Sequence, residues 1–312
     1  MSGEPALLNA RQPGAFAELV RELSPQSLVR YDEPLARRTT LRVGGPADFY
    51  VEPATEPELA AVVRFCGSRG MPFFVLGRGS NLLVKDRGFR GVVVCLAQPG
   101  FSRIEVSGER LKCGAGARLK AVAVEAKRRS LTGLEFLEGI PGSVGGALRM
   151  NAGAMGSAMF EVVRSVRLMG ADGSLVEREP AELDVKYRGC PTLQSWVALG
   201  AVLQGRAGDA AAIEQRMNEF SRKRWGSQPA APSAGCMFKN PAAVPAGKLI
   251  DDLGLKGTRV GGAMVSMEHG NFIVTDGHAT ARDVLELLEL VRARARAERG
   301  IELETEVEII GE

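Results

Sequence analysis

Apolar residues recur along this chain with two different periods, and the switches between them mark out the elements. Leu59, Val62, Val63 and Cys66 repeat at helical spacing until Gly67, behind Thr55-Glu56-Pro57-Glu58, which reads as a capping box with Pro in the first turn. The run Pro72-Phe73-Phe74-Val75-Leu76 then reads as a strand. Short β-rich runs with turn signals follow at Gly91-Val92-Val93-Val94-Cys95-Leu96, Ile104-Glu105-Val106 and Leu111-Lys112-Cys113. A second helix is expected from Arg118 to Arg129, with Lys127-Arg128-Arg129 as cations at its carbonyl end. Val162 to Leu168 alternates, Ala171-Asp172-Gly173 turns and Ser174-Leu175-Val176 returns, which predicts a hairpin. Strands continue to Gln204, and Gly205-Arg206-Ala207-Gly208-Asp209 reads as a boundary before a helix carrying Ile213, Met217 and Phe220. Near the end, Thr280 and Asp283 cap a helix with the stripe Val284, Leu287, Leu288, Val291 and Ala295, stopped by Gly300. A final strand is expected over Ile301 to Ile310. Its period of two puts Glu302, Glu304, Glu306 and Glu308 on one face, so periodicity alone singles out none of the four.

Two glycine-rich segments interrupt this pattern: Gly77-Arg78-Gly79-Ser80-Asn81-Leu82-Leu83, directly after the Pro72–Leu76 run, and Gly139-Ile140-Pro141-Gly142-Ser143-Val144-Gly145-Gly146. Removing so many side chains lets main chain approach an anionic ligand, and amides at a strand end can point at a diphosphate. Neither segment fits the dinucleotide fingerprint of the doubly wound fold, because position 82, where a third glycine is needed, is leucine. A nucleotide cofactor in another fold is the expectation.

Composition narrows the chemistry. A chain of 312 residues, 45% hydrophobic, is expected to form roughly two or three folded units. Forty Lys+Arg against 37 Asp+Glu leave a net charge of +3, too little for a duplex-binding face, so nucleic acid is not an expected partner. Met1-Ser2-Gly3-Glu4-Pro5 lacks a basic start, and no segment approaches the ~20 apolar residues of a membrane span, so a cytoplasmic protein without membrane insertion is expected. The five cysteines, Cys66, Cys95, Cys113, Cys190 and Cys236, are odd in number and widely spaced, which points to reduced thiols. With only two histidines, His269 and His278, neither a metal cluster nor a Ser-His-Asp triad in the N-terminal two thirds is available.

Among residues able to do chemistry, Gly235-Cys236 lies in Pro232 to Pro241, just after Arg222-Lys223-Arg224-Trp225. A Gly-Cys pair is ordinarily a turn beside a buried thiol, and a basic run ordinarily a solvated surface. Together they place a proton donor near several cations, which suits a phosphorylated substrate. Taken in order, Thr40-Leu41-Arg42-Val43-Gly44-Gly45-Pro46-Ala47, the two glycine loops, Met150-Asn151-Ala152-Gly153-Ala154, Tyr187-Arg188, Gly235-Cys236-Met237-Phe238-Lys239-Asn240-Pro241 and Gly300-Ile301-Glu302-Leu303-Glu304-Thr305-Glu306-Val307 resemble the UDP-N-acetylenolpyruvoylglucosamine reductase (MurB) family, from near residue 35 to the C-terminus. The direct step from Tyr187-Arg188 to the C-terminal region resembles its shorter, type II branch.

The resemblance implies an α+β protein: an N-terminal FAD-binding region of the vanillyl-alcohol-oxidase (PCMH) type in two subdomains, and a C-terminal α+β substrate domain. The corresponding partition is 1–30 as an extension, 31–98 and 99–205 as the FAD-binding subdomains, and 206–312 as the substrate domain. It implies non-covalent FAD with its diphosphate on Gly77, Arg78, Gly79, Ser80, Asn81 and Leu82, and on Ile140, Pro141, Gly142, Ser143, Gly145 and Gly146, with Asn151 and Gly153 close by. It further implies NADPH as reductant, UDP-N-acetylglucosamine enolpyruvate as substrate, a monomer, and a hydride delivered from flavin N5 to C3 followed by a proton to C2. Arg188 would stabilise the dianionic enolate. Glu306 would be protonated or share a proton near the substrate carboxylate. The proton donor, a serine in most members, is Cys236 here. A thiol of ordinary pKa about 8.5 is mostly protonated at neutral pH and a stronger acid than a hydroxyl. Tyr187, Arg224, Asn240, Lys248 and His269 are the candidates for holding the UDP portion, since Gly189-Cys190 and Glu268 depart from the family pattern. Two rivals remain: another flavoenzyme of this fold oxidising hydroxy acids or sugars, and a catalytically silent nucleotide-binding module. Such an oxidase has no use for the Gly235–Pro241 segment together with Glu306, and a silent module, in which Cys236 is merely structural, would leave a flavin spectrum unbleached by NADPH.

Overall fold

The computed structural model describes residues 13–312; the reading of Met1 to Pro5 lies outside them. The chain divides into two compact units, each assembled from separate stretches.

The first unit comprises the described residues through Glu33, Ala47–Gly77 and Arg90–Ile213. Besides two short two-stranded pairings, it holds two larger sheets. In one, the strands Leu28–Pro34, Pro46–Glu52, Phe89–Cys95 and Phe73–Leu76 lie side by side in that order, the last two parallel with Phe73 opposite Val92. The helix Glu56–Ser68 starts at the expected capping box, Thr55 Oγ1 accepting from the Glu58 amide and the Glu58 carboxylate from the Thr55 amide. Its Leu59, Val62, Val63 and Cys66 enter one core with Phe49, Val51, Val92 and Val94. The other sheet is antiparallel, in the order Leu175–Arg178, Val163–Met169, Val197–Gln204, Arg110–Gly114, Ile104–Ser107. The two-residue strand Arg206–Ala207 pairs with Leu131–Thr132, so the chain stays in this unit past the boundary expected at 205 and leaves it within the helix Ala210–Ser227.

The second unit gathers Pro34–Pro46, Arg78–Phe89 and Glu214–Glu312. An antiparallel sheet of Ser233–Cys236, Phe272–Thr275, Ala263–Val265 and Arg259–Val260 shares its core with the helix Ala281–Arg299, whose buried stripe is the expected one and whose end is Gly300 at φ +64. Residues 34–46 and 78–89, expected within the first FAD-binding subdomain, pack here instead. Leu41, Val43 and Leu83 belong to this core, and Leu82–Val84 pairs in parallel with Glu308–Ile310. The Asp86 carboxylate accepts from the Ala281 and Arg282 amides at 2.8 and 2.9 Å, at the start of the long helix.

The long final strand does not form. Regular pairing is confined to Glu308–Ile310, preceded by an isolated bridge between Thr305 and Phe238. Leu303 and Val307 are both buried, as a period of two expects, but Thr305 between them is only half-buried and regular pairing does not extend along this stretch. The four glutamates thereby become different. Glu302 pairs with Arg296, Glu304 with Lys239 at 2.6 Å, and Glu308 enters the parallel ladder, while Glu306 is half-buried with its main chain bonded on both sides.

Candidate active site

In the first unit the two glycine loops meet. A side chain at Gly77 would come 3.0 Å from Ser143 Oγ and 3.7 Å from Gly146 Cα, so the strand end before Gly77 and the second loop touch only because Gly77 has no side chain. Ser143 is buried and caps the helix Val144–Met150, accepting from the Gly146 amide. The loop glycines divide their work. The Gly145 amide donates to Ala115 O at 2.8 Å and that of Val144 to Ala117 O at 2.9 Å, and a methyl on Gly145 would press on Ala115 Cβ at 3.1 Å. Gly145 therefore serves close packing of the loop, and its N–H is committed within the protein. Ile140 and Gly142 are half-buried and Pro141 is exposed at the loop's surface.

Tyr187-Arg188 occupies the tip of a tight turn closed by Lys186 N–H to Gly189 O at 2.8 Å. Arg188 sits at φ +57, a left-handed conformation that costs a non-glycine residue about 1–2 kcal/mol and that typically marks a functional constraint. Its guanidinium lies 5.1 Å from the centroid of the exposed Tyr187 ring. Asn151, itself left-handed at the end of the 144–150 helix, donates to Lys186 O at 3.0 Å and accepts from the Phe160 amide at 3.2 Å. Its side chain thus anchors the turn that carries Arg188. A methyl on Gly153 would lie 2.8 Å from the Ser157 carbonyl oxygen and 3.1 Å from an Arg188 nitrogen, so the Ser157 main chain and the arginine both pack against it.

In the second unit the remainder of the first loop, Arg78 to Leu82, meets the residues singled out near the C-terminus. Gly79, at φ +62, lies so close to Arg38 and Thr39 that a methyl would overlap the Arg38 carbonyl oxygen. Its own carbonyl accepts from both the Thr40 amide and hydroxyl, at 3.0 and 3.2 Å. Asn81 Nδ2 donates to the carbonyl of Glu306 at 3.2 Å, and the Glu308 amide donates to Asn81 O at 3.1 Å. Leu82 is buried core at the start of the strand pairing with Glu308. Arg78 is exposed and Ser80 half-buried, with Ser80 O 3.8 Å from where a Gly235 side chain would be.

Cys236 ends a strand with a break in register: Ser233 faces Val274 but Cys236 faces Phe272, and Gly235 takes φ +76. Such a bulge re-aims the residue that follows. The Met237 carbonyl accepts from the Glu306 amide at 2.9 Å, so Cys236 and Glu306 are one residue away from a shared main-chain bond. Both are half-buried. The structure thus brings together Cys236, Glu306, Asn81 and Ser80 within the second unit, and Gly77, Ser143, Gly146, Asn151, Gly153 and Arg188 within the first.

The expected UDP contacts are a mixed set. Asn240 Oδ1 accepts from the Ala246 amide at 3.0 Å, capping the helix Ala246–Asp252. Lys248 pairs with Asp252 one turn on, at 3.0 Å, in the open. His269 Nδ1 accepts from the Asn271 amide at 3.1 Å, which fixes the neutral tautomer with its proton on Nε2; burial, reinforced by Lys256, lowers its pKa. Arg224 is half-buried and lies against Trp225, which is exposed. Asn271, which carried no role in the sequence reading, is buried and bonds Phe238 twice through its side chain. Its one signal is a polar residue directly before the apolar run Phe272-Ile273-Val274.

The five cysteines are free thiols. Among the described residues no cluster suits a metal ion, and no helix is long and apolar enough to cross a membrane. Whether these loops fit FAD is answered by Gly77 and Gly79. Gly77 is tight against Ser143 Oγ and Gly79 overlaps the Arg38 main chain in the direction a side chain would take, so the loop carries no side chains at these two positions, as a loop that cradles a diphosphate requires. The residues fit the group.

Comparison with known proteins points the same way. Residues 47–178 match the FAD binding domain family, and residues 228–310 match the C-terminal domain of UDP-N-acetylenolpyruvoylglucosamine reductase. The reductase of Syntrophomonas wolfei is 40% identical over 95% of this chain and 99% of its own length. A reductase of Symbiobacterium thermophilum is 45% identical over 91% of this chain and 92% of its own. The crystal structure of the Thermus caldophilus reductase superposes with a TM-score of 0.79 at 40% identity, covering 91% of this chain and 99% of that one. The chain is an α+β protein with an FAD-binding region, and it belongs to the UDP-N-acetylenolpyruvoylglucosamine reductase family.

Proposed function

We propose that this chain reduces the enolpyruvyl ether of UDP-N-acetylglucosamine to UDP-N-acetylmuramate with NADPH as electron source, and that Cys236 is its proton donor. One observation carries the reading: Cys236 and Glu306, from segments far apart in sequence, are joined through Met237 and held against Asn81 of the first glycine loop. Neither a sugar oxidase nor a silent binding module has a use for a thiol-bearing and a carboxyl-bearing segment bonded to one another beside the first glycine loop.

The chemistry supplied by bound FAD is a relay of a hydride from NADPH to C3 of the enolpyruvyl group. Addition at C3 pushes an electron pair toward C2 and the adjacent carboxylate, and fixed positive charge at Arg188 stabilises that charge as it develops. The Cys236 thiol gives its proton to C2 and recovers one from water in the next cycle. A thiol suits the task because its ordinary pKa of about 8.5 keeps it protonated at neutral pH while making it a stronger acid than serine. Glu306, carrying or sharing a proton with the substrate carboxylate, hydrogen-bonds it and keeps that electron pair directed to C2. Both substrates are diffusible nucleotides, which suits the cytoplasmic, monomeric enzyme expected above.

The test separates the half-reactions. Cys236→Ala is expected to leave flavin reduction by NADPH at the wild-type rate and to slow reoxidation by the enolpyruvyl nucleotide by about 100- to 10,000-fold, or ~3–5 kcal/mol. Reoxidation at the wild-type rate removes Cys236 from the mechanism.

A further inference from the structure

Beyond Cys236 the strand Ser233–Cys236 runs past the start of its neighbour Phe272–Thr275, and the ladder between them is completed by a side chain. The Met237 amide donates to Asn271 O at 2.9 Å, the last main-chain bond on that side. At the next residue, the Phe238 amide donates to Asn271 Oδ1 at 2.9 Å and the Phe238 carbonyl accepts from Asn271 Nδ2 at 2.7 Å. The carboxamide thus stands in for a peptide group and closes both polar groups of Phe238, in a place where Phe238 is 1% and Asn271 2% exposed. On the opposite side, the same two residues hold the segment bearing Glu306: Met237 O accepts from the Glu306 amide, and Phe238 bridges Thr305. Asn271 itself is held by its own amide donating to His269 Nδ1.

We infer that Asn271 is a positioning residue for the proton-transfer pair, setting Cys236 and Glu306 relative to one another by clamping the Met237-Phe238 segment between them; this rests on the proton-donor role proposed above. The amide is chemically required because the two groups facing it have opposite polarity. A carboxylate at 271 accepts from the Phe238 N–H but leaves the Phe238 carbonyl with no donor and an anion beside it. A leucine of similar volume leaves both groups buried and unsatisfied. In either case the segment shifts to recover partners, and it cannot shift without moving Cys236 on one end and the Met237–Glu306 bond on the other. Misplacement of a reacting group by about 1 Å costs up to about 100-fold in rate. His269, on this view, acts from the protein side of the site, as the acceptor that orients Asn271.

The experiment is stopped-flow on the holoenzyme of Asn271→Asp and Asn271→Leu, following flavin reduction by NADPH and then reoxidation by the enolpyruvyl nucleotide, with FAD occupancy and melting temperature recorded. The expected result is unchanged FAD content and reduction rate, with reoxidation slowed about tenfold in Asn271→Asp and about 100-fold in Asn271→Leu, and with a larger solvent deuterium isotope effect on reoxidation as proton delivery becomes limiting. Should Asn271→Leu fail to fold, Asn271→Asp alone carries the test. Equal slowing of both half-reactions, or loss of FAD in step with the rate, overturns the inference in favour of a purely structural role. Wild-type reoxidation by Asn271→Asp overturns it as well. If Cys236→Ala slows reoxidation while Asn271→Asp does not, only the positioning role fails; if Cys236→Ala reoxidises normally, the proton-donor reading on which it rests has failed.

Discussion

Gly70 and Gly79 share a backbone conformation and differ in their surroundings, which makes them a matched pair. Their φ angles are +58 and +62. A methyl at Gly70 meets nothing within 4 Å, whereas at Gly79 it overlaps the Arg38 carbonyl oxygen and lies 2.7 Å from Thr39 Cα. Gly70→Ala therefore reports the left-handed penalty alone, about 1 kcal/mol. Gly79→Ala adds an overlap with main chain that no rotamer can relieve, about 1–3 kcal/mol more. It also strains the carbonyl that accepts from the Thr40 amide and hydroxyl. Urea denaturation of the two apoproteins should thus give losses of about 1 and about 2–4 kcal/mol. Titration of the same apoproteins with FAD, followed by quenching of flavin fluorescence, should show wild-type affinity for Gly70→Ala and a loss of about tenfold or more, at least ~1.4 kcal/mol, for Gly79→Ala. Equal destabilisation by the two substitutions refutes the steric argument, and wild-type FAD affinity in Gly79→Ala removes this stretch of loop from the cofactor site.

Three further outcomes follow from particular contacts. Glu58 is buried, which alone would raise its pKa, but hydrogen bonds from Ser24, Thr55 and Ser27 prevail and hold it down at about 2 against an ordinary 4.5. Its contribution is then full above pH 4.5 and is lost as pH falls through 2, so Glu58→Gln should cost about 3 kcal/mol in urea denaturation at pH 7, and a gap that stays constant down to pH 2 would contradict this. Asn240→Asp keeps the oxygen that caps the 246–252 helix and loses the amide N–H. It should retain stability yet raise the KM for the UDP substrate about tenfold if that N–H binds the nucleotide, whereas Asn240→Ala should also lose about 1 kcal/mol of stability. Thiol alkylation should inactivate the wild type and spare Cys236→Ser. Burial pushes the Cys66 and Cys113 thiols up to about 12 and raises that of Cys190, so equal inactivation of Cys236→Ser would point to Cys95, whose sulfur lies 3.9 Å from Gly77 O.

Legibility in the sequence tracks the range of the interaction that fixes each element. Helix ends were readable because their determinants are three residues apart: Thr55 with Glu58, and Thr280 with Asp283, each make the reciprocal bonds that their spacing predicts. The hairpin from Val163 to Arg178 is equally local. Strand partners chosen across the chain were not readable. Nothing near Leu82 announces that Leu82–Val84 will pair with Glu308–Ile310, or that this pairing, with Leu41, Val43 and Leu83 in its core, draws residues 34–46 and 78–89 into the C-terminal unit. Resemblance to a family named Arg188, Cys236 and Glu306, but an ordered set of motifs carries no geometry, and a period of two could not separate Glu306 from the glutamates beside it.

What separates Glu306 is a set of main-chain bonds, and that bears on how such a site can vary. Glu306 is fixed by its amide to Met237 and its carbonyl to Asn81, while Glu302 and Glu304 point their carboxylates at Arg296 and Lys239 in solvent. Peptide groups, with the side chains of Asn81 and Asn271, bond the segments of Cys236 and Glu306 to one another and to the first glycine loop. The backbone frame at position 236 is thus set by the bulge at Gly235 and by the clamp at Phe238. On the proposed donor role, a serine placed at 236 would be carried by that same backbone. The corollary is measurable: Cys236→Ser should reoxidise its flavin within about tenfold of the wild type, whereas Gly235→Ala, which leaves the thiol in place but opposes the φ of +76, should slow it more than that. A slower Cys236→Ser than Gly235→Ala would mean that the identity of the acid, and not the frame, governs the rate.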